Sequence, residues 1–347
     1  MPYGFTGKQK ELESLSLISR KGCIMEEKKL LVDVIVPVYK PKKKLKHLLA
    51  MLAVQTYPVH QVILINTEKQ YWNEDEMSAA IPDNLNVSVS HISKQEFDHG
   101  ATRHLGMEMS KGHIAVCMTD DAVPADKELI SRLVRAFRQT GPDGETVIEV
   151  YARQLPDKDC SFTERYTRSF NYPETSRIKT AKDLEALGIK TFFASNVCCA
   201  YRRDLYFRQG GFIRKTIFNE DMIFAGKAIQ DGYAIAYAAD AKVIHSHNYT
   251  GIQQFKRNFD LAVSQADHPE IFNGIRSESE GIRLVKTTAG YLIKKGKVWL
   301  LPDLVVKSGF KYLGYRMGKR YKKLPKAVVL RCTMNPGYWD ERGEERI

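Results

Sequence analysis

Along the first third of the chain, apolar residues fall into short continuous runs separated by stretches of helical period. Leu30-Leu31-Val32-Asp33-Val34-Ile35-Val36-Pro37-Val38-Tyr39 is apolar almost throughout and rich in β-branched residues, the pattern of a strand buried on both faces. Over 42–55 the period changes, and Leu45, Leu48, Leu49 and Leu52 share one side of a helix. Further buried strands are predicted at 62–65, 87–92 and 113–118, with helices over 101–110 and 125–139. Strand alternating with helix predicts a doubly wound parallel α/β sheet. Ligands bind such sheets beyond the carboxyl ends of the strands, where Thr119-Asp120-Asp121 follows the fourth one.

The second half is less regular. A strand is predicted at 146–153, loop at 155–190, strand-like chain at 192–201, a helix over 221–231 stopped by Gly232, and one or two strands in 233–245. From 251 the pattern is helical and basic. Lys294, Lys295, Lys297, Lys307, Lys311, Arg316, Lys319 and Arg320 interleave with Trp299, Leu300, Phe310, Tyr312, Leu313 and Tyr315. That mixture fits a helix lying in an anionic membrane interface, each basic residue adding about 1 kcal/mol; the alternative is a helix packing its apolar stripe on the main domain. The expected organisation is a tail at 1–29, an α/β domain at 30–250 with halves at about 30–125 and 126–250, and a basic helical segment at 251–347.

Composition narrows the picture a little. Of 347 residues, 43% are apolar and 27% charged, as in soluble globular proteins. The net charge of +12 suggests a polyanionic partner, whether nucleic acid, membrane or phosphorylated substrate. The six cysteines have no zinc-site spacing and read as free thiols of a reducing compartment. No signal peptide is evident, and no run reaches the roughly 18–20 apolar residues that cross a bilayer. A cytoplasmic protein is expected.

Four groups could carry chemistry. Asp120-Asp121 at a strand end would suit a hard divalent cation bridging to a diphosphate, or would cap the following helix. Glu220-Asp221 opens a helix, where a carboxylate could deprotonate a hydroxyl or simply stabilise the helix terminus. His245 and His247 alternate onto one face at a strand end, where either could bind metal. In Phe97-Asp98-His99-Gly100-Ala101-Thr102-Arg103-His104-Leu105-Gly106 a polar turn opens a helix whose N–H groups, with Arg103, could hold phosphate; an Asp-capped turn is the simpler reading.

In their order along the chain, these pieces resemble the inverting glycosyltransferases of family two, and within them the rhamnosyltransferase-like branch. Ser195-Asn196-Val197, Gly232-Tyr233 and the QxxR-like Gln254-Phe255-Lys256-Arg257 add to the likeness, which covers about residues 30–262. The resemblance implies a GT-A fold that binds Mg²⁺ or Mn²⁺ through Asp121, with His245 or His247 as a further ligand. It implies Asp221 as catalytic base beside Glu220. Val38, Tyr39, Asn66, Asp98, Arg103 and Asp120 would face the nucleotide sugar; Asn196, Gly211, Phe212 and Arg257 would lie on the acceptor side. Asp120 stands where the branch commonly has Gln, and Asn66 where many relatives have Asp. Asn258 replaces the aromatic residue that follows QxxR in processive polymerases. The implied donor is dTDP-β-L-rhamnose, with UDP-hexoses as alternatives. The implied acceptor is a lipid-linked glycan at the inner face of a bacterial plasma membrane. A non-catalytic nucleic-acid-binding protein is the reading from another class; it leaves the acidic strand ends unexplained, and nucleic acid is not expected as a partner.

Overall fold

The computed structural model describes residues 29–275 and 278–340, so Cys23 and all but the last residue of the expected N-terminal tail lie outside it. Strand β1 (Val32–Tyr39), helix α1 (Lys43–Ala53), β2 (Gln61–Thr67), β3 (Val87–Ile92), α2 (His99–Met109) and β4 (Ile114–Met118) follow in the predicted order. β1 pairs in parallel with both β2 and β4, and β2 with β3. The unbroken apolar run of β1 has a packing cause. Val34, Val36 and Val38 join the Leu45, Leu48, Leu49 and Leu52 face of α1, while Ile35 points to the opposite layer with Ile63, Ile65 and Met107. Gly106 of α2 lies against Ile35 so closely that a Cβ there would overlap it. Asp33, buried within β1, accepts from Ser110 Oγ and from the N–H groups of Lys111 and Gly112, which compensates its desolvation.

After β4 come β5 (Val123–Pro124), α3 (Leu129–Ala136), β6 (Val147–Leu155), α4 (Phe162–Asn171), β7 (Arg177–Lys179), β8 (Cys198–Arg202), α5 (Glu220–Gln230) and β9 (Ala234–Ile244). The sheet becomes mixed here, in the order β3-β2-β1-β4-β8-β6-β9-β5 with β7 on β9. Because β8 is antiparallel to both β4 and β6, and β6 is parallel to β9, strands β4, β6 and β9 end on the same edge. Antiparallel pairing of Val123 with Ile244 then sets Asp121 beside the chain at 245–247.

Three local expectations differ from the structure. Residues 155–190 contain α4, whose start is marked by Ser161 accepting from Glu164 N. The strand expected at 192–201 begins only at Cys198. The helix expected over 125–139 is regular only from Leu129 to Ala136, since Val123 and Pro124 join the sheet edge. Cys117, Cys160, Cys198, Cys199 and Cys332 are buried free thiols.

Helices α6 (Gly251–Asp267), α7 (Glu278–Lys294) and α8 (Leu301–Gly318) follow, and after α8 a shorter helix at Lys326–Cys332 and brief helical turns complete the described chain. α8 runs parallel to α6 along a seam of glycines. A Cβ at Gly251 would overlap the Phe310 ring, and Cβ atoms at Gly314 and Gly318 would overlap the carbonyls of Phe255 and Phe259. The segment expected to lie on a membrane thus packs through one side of α8 against α6. Its other side exposes Val305, Val306, Tyr312 and Leu313. Among the described residues, no helix is long and apolar enough to cross a membrane.

Candidate active site

The strand-end geometry gathers Asp121, His245 and His247, with one ligand atom of each within 4.8 Å of the others. His245 Nε2 is 3.4 Å from Asp121 Oδ1, and His247 Nε2 is 3.6 Å from Asp121 Oδ2. Thr119 Oγ1 donates to Asp121 Oδ1 at 2.9 Å. His245 Nδ1 lies 3.1 Å from Gln154 Oε1, a contact that is a hydrogen bond only when Nδ1 carries the proton. That tautomer leaves the Nε2 lone pair aimed at the cluster, the orienting arrangement usual behind a metal-binding imidazole. Burial raises the Asp121 carboxyl; when His245 carries a proton on Nε2 as well, its hydrogen bond and charge, then His247 and the Thr119 hydroxyl, outweigh burial and hold the group below the usual carboxylate range, a position that a bound cation would take over from that proton. Burial, reinforced by His245, pushes His247 down to about 4, so its ring is neutral at physiological pH. One carboxylate and two imidazoles with free lone pairs fit a divalent cation of the Mn²⁺ kind.

The second cluster is built on the first turn of α5. Asp221 Oδ2 accepts from Asn196 N at 2.9 Å, and its Oδ1 from Met222 N at 2.8 Å. Glu220 Oε1 accepts from Asn196 Nδ2 and pairs with Arg103 Nη1, both at 3.1 Å. Asn196 therefore grips both carboxylates, one by its backbone and one by its amide, while Tyr201 Oη donates to its Oδ1. Burial raises both carboxyls, with different outcomes. Arg103 and His99 overcome it at Glu220, holding that group below the usual range. At Asp221 the charge of Glu220 adds to burial and pushes the group up to about 7. One carboxylate stays ionised and paired; its neighbour exchanges a proton near neutrality.

The segment 195–197 joins the clusters. Gln154, which orients His245, donates to Ser195 Oγ; Asn196 holds Asp221; and Val197 O accepts from Thr119 N. The chain around residues 121, 221 and 245 thus converges, although these positions are a hundred residues apart or more in the first interval.

Other expected site residues divide. Asp120 sits beside Asp121 and accepts from the Tyr39 backbone; burial and the Asp121 charge raise it to about 6. Tyr39 is exposed and meets Tyr71 edge-on at 5.5 Å, with Lys40 Nζ over both rings. Asn66 is fully buried, donates to Glu68 O and contacts His91 Nδ1, while its Oδ1 has no partner. The Arg257 guanidinium covers the Phe218 ring at 4.6 Å and the Tyr249 ring at 5.8 Å. The Val38 side chain, by contrast, is part of the core. Asp98 caps α2, accepting from Gly100 N, Ala101 N and Thr216 N. Arg103 is buried against Glu220, and its role here is pairing that carboxylate. Phe212 is buried among Tyr201, Tyr206 and Phe224, and Gly211, at φ +70°, lies against the His104 ring. These two shape the aromatic core beneath α5. Gln154 went unnoticed in the sequence, although a polar residue near the end of β6 beside the end of β9 was an available signal, while Ser195, Thr119 and His99 stood within the motifs noted there without a role of their own.

Comparison with known proteins identifies the family. The profile described as Glycosyl transferase family 2 matches residues 33–208. The O-antigen chain rhamnosyltransferase RfbN of Salmonella typhimurium is 35% identical over 313 residues, covering 89% of this chain and 96% of that protein. The O-antigen chain rhamnosyltransferase WbaN of Salmonella anatum is 36% identical over 290 residues, covering 82% and 88%. Among solved structures, mannosyltransferase PcManGT from Pyrobaculum calidifontis, in complex with GDP-Man and Mn²⁺, superposes with a TM-score of 0.55 at 14% identity, over 96% of this chain and 95% of that one. That likeness is one of fold. With its GT-A architecture, the chain belongs to glycosyl transferase family 2 and is a glycosyltransferase.

Proposed function

We propose that the chain transfers L-rhamnose from dTDP-β-L-rhamnose, with inversion, to a lipid-linked glycan in the synthesis of a bacterial cell-surface polysaccharide. The rhamnose reading is supported by the two relatives named as O-antigen chain rhamnosyltransferases, each matched over most of its length. The observation that carries the chemistry is Asp221, a carboxyl raised to about 7 and held by Asn196, tied through Ser195 and Gln154 to the Asp121–His245–His247 cluster. Asp221 takes the proton of the acceptor hydroxyl as that oxygen attacks the anomeric carbon from the face opposite the leaving group. Glu220, kept ionised by Arg103, keeps Asp221 basic and Asn196 fixed. A Mg²⁺ or Mn²⁺ ion held by Asp121, His245 and His247 would supply positive charge to the departing nucleoside diphosphate. Asp120 and Tyr39 then face the nucleotide, and Arg257 the acceptor side, while Asn66 stays buried behind them.

The enzyme works, in this reading, at the inner face of the plasma membrane. Exposed Ile293, Val298, Trp299, Val305 and Val306 adjoin Lys294 and Lys295, a combination suited to anionic lipid. Trp299→Glu combined with Val306→Glu should lower binding to vesicles containing anionic lipid; unchanged binding would remove this surface from the proposal. The donor is tested by measuring nucleoside diphosphate release across a panel of dTDP-rhamnose, UDP-glucose and UDP-galactose. Preference for dTDP-rhamnose supports the proposal, and turnover of a UDP-hexose alone overturns it.

A further inference from the structure

Two cations beside the candidate active site form no ion pair with a described carboxylate. Arg257 stacks on Phe218 and Tyr249, which flank His99 and His247 through ring contacts of 6.5 and 5.1 Å, and it forms no ion pair with a described residue. Lys311 of α8 is half-buried and forms neither a hydrogen bond nor an ion pair with a described residue. Its neighbour one turn earlier, Lys307, pairs with Asp303 at 2.9 Å, and the nearby Glu164 is engaged by Arg168 at 2.9 Å. Burial accordingly depresses the Lys311 ammonium, Glu164 only partly offsetting it, and Arg257 depresses it further.

The position of Lys311 is fixed by packing. It follows Phe310, which closes on Gly251, and it precedes by one turn Gly314, which abuts the Phe255 carbonyl. Gly251 is four residues beyond His247. Lys311 is therefore anchored level with the first turns of α6, where Arg257 also stands. Two half-buried cations without an ion-pair partner among the described residues, next to a cluster suited to a divalent cation, are complementary to a doubly charged anion.

We infer that Lys311 and Arg257 form a seat for a diphosphate group, so that α8 supplies one wall of the active site rather than serving only as an outer segment. This rests on reading the site as a glycosyltransferase centre. The diphosphate belongs either to the nucleotide donor or to the lipid carrier of the acceptor, and both present the same charged oxygens.

The test uses the full chain in EDTA with inorganic pyrophosphate, followed by calorimetry, so that no metal contributes. Wild type should bind, Lys311→Gln should bind about tenfold more weakly, the equivalent of one charge-assisted hydrogen bond, and Lys311→Arg should stay close to wild type. Absence of binding by wild type, or equal binding by a Lys311→Gln protein of unchanged circular dichroism and Tm, overturns the inference. Competition then separates the sources: if Lys311→Gln weakens dTDP more than a short prenyl diphosphate the seat serves the donor, and the reverse assigns it to the acceptor. Failure of the donor panel would leave the pyrophosphate result standing, so the two readings fail separately.

Discussion

Replacing Glu220 by Gln tests the division of labour between the two carboxylates of α5. Asp221 is raised from an ordinary value near 3.8 to about 7, first by burial and then by the charge of Glu220. A unit charge at about 6 Å across an effective dielectric near 20 amounts to about 2–3 kcal/mol, or about two pH units before screening. The substitution also leaves Arg103 without its counter-charge, and that guanidinium lowers Asp221 as well. Both changes act in one direction. A base works when deprotonated, so activity is present above its pKa and lost below it. The acidic limb of kcat/KM should break near pH 7 in wild type and about one to two units lower in Glu220→Gln, even where the plateau falls. At pH 6 about one tenth of wild-type Asp221 is ionised, against half or more in the variant. The assay is initial release of nucleoside diphosphate from pH 5 to 9 at saturating free Mn²⁺, since protonation of the histidines weakens metal binding on its own. A break that stays in place or moves upward would refute both the assignment of Asp221 as base and the role given to Glu220.

Asp221→Asn should fold, bind dTDP like wild type and lose transfer by about 10²–10⁴-fold; near-normal turnover would exclude it as the base. His247→Ala should sharply weaken Mn²⁺ binding in calorimetry, and Gln154→Leu should weaken it by about 10–100-fold through loss of the His245 tautomer, with intact Mn²⁺ affinity in both counting against the cluster. Gly314→Val should lower Tm by an amount corresponding to about 1–3 kcal/mol or more, because its side chain overlaps the Phe255 carbonyl; an unchanged Tm would contradict the seam between α6 and α8.

The parallel half of the sheet was legible because β1, β2 and β4 are covered on both faces, leaving runs with no polar alternation. Asp121, Asp221, His245 and His247 were legible for a related reason: each closes or opens an element, where local pattern fixes position. What they touch was not. The Asn196 grip depends on contacts 24 and 25 residues away, and Arg103 reaches Glu220 only because α2 and α5 pack together. Polar composition concealed α4, although Ser161 followed by Glu164 marks its start. Phe212 and Gly211 resembled site residues in order along the chain, yet their burial among aromatic rings depends on tertiary packing.

The glycines between α6 and α8 have a practical consequence. With no side-chain thickness to absorb a shift, the two helices must travel together, and α6 begins directly behind His247 and Tyr249. Shortening the protein ahead of residue 300 would strip a strut from beneath the catalytic edge, so a trimmed enzyme should not be used as a stand-in for the whole one.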